Sequence, residues 1–218
     1  MTSAKLIGVV SFAATFVILA ACGGKIHYPN YYVLNLPSAA PQPGHSRLLQ
    51  GSAAVRQFSA PRFLRGGPIA YRQSPQQLGF YNYDRWAEDP RGAVTGAFVQ
   101  GLESHGIFQS VRLFDGRATP DYLITGTIDH LEEMDQPHQV LMNVSISAQL
   151  TNVKTGDVVW SGVSSQTTSL KGHSVPDLVA GMSQSADQAI NSLISSMQER
   201  LLQLHASASK GIKEAGPE

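Results

Sequence analysis

The sequence predicts an α+β fold: an antiparallel or mixed β-sheet with two helices packed mainly on one face. Three observations point there. Val140, Met142, Val144, Ile146, Ala148 and Leu150 alternate with mainly polar neighbours, the pattern of a strand with one buried face. Asp89-Pro90 opens, and Gly106 closes, a stretch with Val94, Phe98 and Leu102 on one stripe. Near the C-terminus, Leu178, Met182, Ala186, Ala189, Ile190, Leu193, Met197, Leu201 and Leu204 recur at three- and four-residue steps, which makes a second helix.

In chain order, "YYVLNL" (31–36) reads as a first strand and "PSAAPQPGHS" as an exposed loop. The next segment is strand-like up to Phe58, then broken by Pro61 and Gly66-Gly67. Residues 69–72 and 77–81 form two short strands around Ser74-Pro75. The first helix runs from Pro90 to Ser104 or His105, capped by Asp89. Glycines 92, 96 and 101 weaken it in isolation, so its stability must come from packing. "SVRLF", "DYLITGTIDHLEEMD", the alternating run and the strand after Lys154-Thr155-Gly156-Asp157 follow, the last three reading as an antiparallel meander. Ser174 and Asp177 form a capping box ahead of the final helix, whose stripe is expected to cover the sheet. The tail 206–218 is expected to fray, so the folded domain spans 30–205.

The N-terminus carries a different kind of signal. Residues 6–21 are apolar or small behind a single Lys5, the pattern of a secretory signal, and the run is too short and interrupted for a spanning helix. Leu19-Ala20-Ala21-Cys22 is similar to a bacterial lipobox. That likeness implies a signal peptide over 1–21 and a diacylglyceryl thioether on Cys22, with residues 22–29 as lipidated N-terminus and tether. Cys22 is the only cysteine, and acylation removes a thiol that would otherwise be free to oxidise. Several acyl chains anchor a protein where one binds only marginally.

Composition and motifs exclude more than they assign. Removing residues 1–21 takes Lys5 and no acid, leaving 15 basic against 16 acidic residues, which argues against a nucleic-acid footprint. With 42% hydrophobic and 15% charged residues, the chain is not generally disordered. No nucleophile elbow, phosphate-binding loop or dinucleotide fingerprint appears, so no enzyme activity is expected. The histidines at 27, 45, 105, 130, 138, 173 and 205 show no helical ligand spacing, so neither metal nor cofactor is expected beyond the lipid on Cys22. Glu132, Glu133 and Asp135 precede Pro137 and read as a solvated turn. Binding is left as the default. Tyr71, Tyr81, Tyr83, Arg85 and Trp86 are the candidate partner-binding residues, because Tyr, Trp and Arg dominate interface hot spots. The competing reading is that they cap the core at the entrance to the first helix.

"YYVLNL" soon after a lipobox cysteine, the "IAYR" strand, "LGFYNYDRWAE" leading into a helix, and "VVWSG" (158–162) together resemble the ABC-type transport auxiliary lipoprotein family. Asp89 after "RWAE" departs from the small or apolar residue expected there, but suits capping. The resemblance implies an auxiliary subunit working with an MCE-domain (mammalian cell entry) protein and an ABC permease and ATPase. Such systems move phospholipids or other hydrophobic molecules between inner and outer membranes. It implies a membrane contact through the lipid anchor and leaves self-association open. Gly23, where aspartate would signal inner-membrane retention, points to the periplasmic face of the outer membrane. Two alternatives remain: a structural lipoprotein assisting an outer-membrane β-barrel, and a carrier that holds lipid in a groove lined by the stripe from Met182 to Leu201.

Overall fold

A computed structural model of the chain describes residues 27–37, 49–136, 139–170 and 174–214, with side chains through 207. Cys22, the signal segment and most of the proline-rich loop lie outside these residues. Within the described residues, eight strands and two α-helices follow one another. They are β1 (Asn30–Tyr32), β2 (Leu49–Val55), a 3₁₀ turn (Arg62–Leu64), β3 (Gly67–Ser74), β4 (Gln77–Trp86), α1 (Pro90–His105), β5 (Phe108–Leu113), β6 (Tyr122–Gln136), β7 (Gln139–Asn152), β8 (Val158–Leu170) and α2 (Val175–Glu214).

The sheet is open, mixed and organised around β6. One edge of this 15-residue strand pairs antiparallel with β7 along its length, and β7 pairs with β8, giving the expected meander. Two strands share the other edge end to end. β2 runs parallel to residues 122–124, while β3 runs parallel to residues 133–134. An isolated bridge between Ser59 and Thr127 fills the gap. β5 extends the sheet beyond β2; β4 and then β1 extend it beyond β3.

Both helices follow from local signals. The Asp89 carboxylate accepts from the Arg91 amide at 3.0 Å, and Pro90 occupies the first turn, where its missing N–H costs nothing. Gly106 ends α1 in the left-handed region, φ 62°, which a side chain would disfavour. The glycine at 101 has a packing reason: a Cβ there would sit 2.5 Å from Ile194 Cδ1, so its absence lets α1 lie close against α2. Every stripe residue of α2 from Leu178 to Leu201 is buried, in one cluster with Val144, Ile146, Leu150 and Trp160 of the meander. The helix continues to Glu214, beyond the 205 boundary expected for the domain.

β3 and β5 begin two residues earlier than expected, and three other strands differ from their expected extents for identifiable reasons. β1 stops at Tyr32, because the chain then leaves the β4 edge: Leu34 turns into the core and the Asn35 amide donates to Ser183 Oγ of α2 at 3.1 Å. β2 ends at Val55, yet Phe58 stays fully buried, its amide held by Thr95 Oγ1 of α1 at 3.0 Å. β4 runs past Tyr81 to Trp86, because β1 adds a ladder at residues 84–86.

Candidate interaction site

The acidic patch is not a solvated turn. Glu132 is 0% exposed and Glu133 is also buried, both inside β6 well before the hairpin tip. Successive strand residues point to opposite faces, so the two carboxylates serve different surfaces. Glu133 lies opposite Met142, on the face covered by α2; Glu132 lies opposite Asn143, on the other face. A register irregularity between Ile128 and His130 keeps Leu131 on the core side, opposite Val144.

On the face away from the helices, Arg72 Nε and Nη2 donate to the two Glu132 oxygens at 2.7 and 3.0 Å. Arg72 Nη1 also donates to the Pro75 carbonyl at 3.1 Å, and His130 Nδ1 lies 3.1 Å from Glu132 Oε1. This fork is the geometry that suits a guanidinium best. Around the pair lies a pocket of about 510 Å³ whose lining includes Pro75, Met134, Gln136 and Asn143. The guanidinium is thus committed to Glu132 and holds β3 to β6 where the two strands share only a short ladder.

On the helix side, the Tyr81 hydroxyl donates to Glu133 Oε2 at 2.6 Å. Burial first, then that hydrogen bond and the charges of Glu133, Asp135 and Asp84, push the Tyr81 hydroxyl well above its ordinary value. Its ring meets Tyr71 edge-on, centroids 5.3 Å apart. Tyr71 lies across Gly79, where a Cβ would come within 2.4 Å of the ring, so the glycine makes room for the aromatic pair.

The five candidate partner-binding residues therefore separate. Trp86 is 4% exposed and belongs to the hydrophobic core, which removes it from any docking surface. Its place follows from β1, because Tyr32 pairs with it and Gly67 flanks it on β3. Tyr71 and Tyr81 form the half-buried pair just described. Tyr83 stands out from β4, 48% exposed, with its ring 5.1 Å from that of His27. Arg85 is half-buried opposite Tyr31. Sequence reasoning missed Arg72 as the partner of Glu132. The signal that could have found it was two adjacent acids flanked by Leu131 and Met134 inside a long strand, where one of the pair must face the core and demands a buried counter-group.

The Met and Leu stripe of α2 is consumed by packing: Met182, Leu193 and Met197 are all within the core. Among the described residues no group of three or more His, Cys, Asp or Glu side chains is placed to hold a metal ion. Among the same residues, no helix is long and apolar enough to cross a membrane.

Together these features define an open α+β module whose polar clusters brace the sheet and whose aromatic edge faces outward. Residues 32–193 match the ABC-type transport auxiliary lipoprotein component family, and the chain belongs to it. Membership places it among membrane-anchored lipoproteins of the cell envelope that are auxiliary to ABC-type transport. No curated protein matches the sequence. The fold is similar to that of a Xanthomonas campestris protein of the DUF330 family, with 18% identity over 81% of this chain and 99% of that one, and a TM-score of 0.68. A second solved structure, of an uncharacterized protein, shares 16% identity over 77% of this chain and 97% of its own, with a TM-score of 0.59.

Proposed function

We propose that the chain is an auxiliary lipoprotein of an MCE-type ABC transport system moving phospholipid or another hydrophobic molecule between the two membranes. Acyl chains on Cys22 hold it at the periplasmic face of the outer membrane, the location that Gly23 favours. The domain is a passive subunit: nucleotide hydrolysis belongs to the partner ATPase, and the docked partner is an MCE-domain protein. The observation that carries this reading is the family match across 32–193, placed directly behind a lipobox cysteine.

With Trp86 assigned to the core, docking falls to the surface around Tyr71 and Tyr81, an aromatic pair in which the Tyr81 hydroxyl is held by Glu133. Such preorganised aromatics bind at low entropic cost. The test is intact mass combined with photo-crosslinking from position 71, on full-length lipoprotein in membranes of its own host. An acylated N-terminus with an MCE-domain protein trapped is the expected result. A trapped β-barrel would keep the anchor and overturn the transport role, and an unmodified Cys22 would overturn the anchor.

A further inference from the structure

Edge strands normally avoid large exposed apolar side chains, because an unpaired edge invites association. The edge formed by β1 and the end of β4 does the opposite. Tyr28 is 77% exposed, Tyr31 63% and Val33 50%, while the alternating Tyr32 and Leu34 turn toward the core. Tyr83 lies beside this run, its ring against His27, and Arg85 is in register with Tyr31. The one acid of this ladder is turned away: Asp84 lies between Tyr83 and Arg85 in β4 and accepts from the Asn30 amide group at 3.0 Å and the Tyr32 hydroxyl at 3.1 Å. Among the described residues Arg85 has no side-chain hydrogen bond or ion pair, so its charge is available to an anion.

The chain itself says what this surface meets. Cys22 is five positions before His27, and five residues span at most roughly 17 Å. An acyl group on Cys22 therefore brings a bilayer within reach of the exposed edge. Tyrosine concentrates at membrane–water boundaries because its ring is apolar and its hydroxyl hydrated, and arginine pairs with lipid phosphate.

We propose that Tyr28, Tyr31, Val33, Tyr83 and Arg85 form a second membrane contact, seated in the phospholipid headgroup layer beside the anchor. The inference rests on the acylation of Cys22 proposed above. The domain is then held in one orientation, with β1 against the bilayer and β8, at the opposite edge of the sheet, directed away. A fixed orientation aims the Tyr71–Tyr81 surface, where a free tether would let it swing.

The test uses the full-length lipoprotein reconstituted in phosphatidylethanolamine–phosphatidylglycerol vesicles. Acylation consumes the Cys22 thiol, so single variants Tyr31→Cys, Tyr83→Cys and Val163→Cys each take one spin label. Position 163 on β8 is exposed and remote, which makes it the reference. Labels at 31 and 83 should show a several-fold higher ratio of accessibility to oxygen over an aqueous nickel chelate than the label at 163. Equal ratios at all three positions would overturn the contact. Shielding of 31 and 83 from both reagents would overturn it in favour of a second copy covering the edge. Intact mass separates this failure from that of the anchor: an unacylated Cys22 takes a second label and removes both proposals together, whereas an acylated chain with aqueous labels removes only this one.

Discussion

The guanidinium of Arg72 and the carboxylate of Glu132 meet through two hydrogen bonds, across 60 residues of sequence, with the carboxylate fully buried. They join β3 to β6 where the strands share only the pairs Tyr71–Glu133 and Arg72–Met134. Removing one partner of a buried pair leaves a charge without compensation, which costs about 3–5 kcal/mol. Arg72→Met should lower stability toward the low end of that range, because the arginine is partly open to solvent. The double variant Arg72→Met/Glu132→Leu should recover most of the loss. Urea unfolding of the two single variants and the double checks this. An additive double variant would show that the two side chains act independently.

Tyr81 makes a related prediction on the helix side. Its hydroxyl donates to the buried Glu133, so Tyr81→Phe removes one donor and should cost about 1–3 kcal/mol. The pH dependence follows from the raised ionisation of the hydroxyl. A group whose folded pKa lies above its unfolded value stabilises the fold fully below the unfolded value, here near 10. That contribution fades as pH rises beyond it. Thermal unfolding of the wild type should therefore weaken above about pH 10, and Tyr81→Phe should flatten that alkaline limb.

These two pairs also mark where the sequence was legible and where it was not. The limits of α1 could be read because Asp89, Pro90 and Gly106 act on their own backbone neighbours. The stripe of α2 and the alternation of β7 could be read because a single face was buried along each element. Glu132 and Glu133 were misread because their burial depends on Arg72 and Tyr81, 60 and 52 residues away. Local composition says nothing about such partners. Trp86 was ambiguous for the same reason, since its strand neighbour in β1, Tyr32, lies far back in the sequence. The branching at β6 was invisible too, as no local pattern says that two strands will share one edge.

The glycines of α1 give opposite predictions within one helix. A Cβ at Gly96 meets open space, so Gly96→Ala should stabilise by about 0.5–1 kcal/mol through helix propensity and a less flexible unfolded chain. A Cβ at Gly101 meets Ile194 Cδ1 at 2.5 Å in the core between the helices, and the gain in propensity is outweighed. Gly101→Ala should destabilise by about 1–3 kcal/mol, the usual cost of overpacking. Paired denaturation curves decide it. If both variants shift the same way, propensity alone governs this helix and the close contact with α2 carries no weight.

Asp89 joins capping to acid stability. Its carboxylate accepts from the Arg91 amide at 3.0 Å and from Arg91 Nε at 2.9 Å. The Arg91 side chain, chiefly, holds the carboxyl below its ordinary range; burial opposes this, and the amide bond adds to the lowering. A depressed carboxylate stabilises the fold above its unfolded pKa, near 3.9, and loses that contribution as pH falls through the folded value. Asp89→Asn keeps a capping oxygen but loses the charge, whereas Asp89→Ala loses both. At pH 7 the alanine variant should lose about 1 kcal/mol as the capping deficit, and the asparagine variant less. As pH falls through the folded value the wild type and the asparagine variant should converge, because the aspartate is then neutralised. Unfolding midpoints measured from pH 2 to 7 test this. A gap between aspartate and asparagine that stayed constant down to pH 2 would mean that the cap acts through its shape and hydrogen bond alone, with no share from the charge on Asp89.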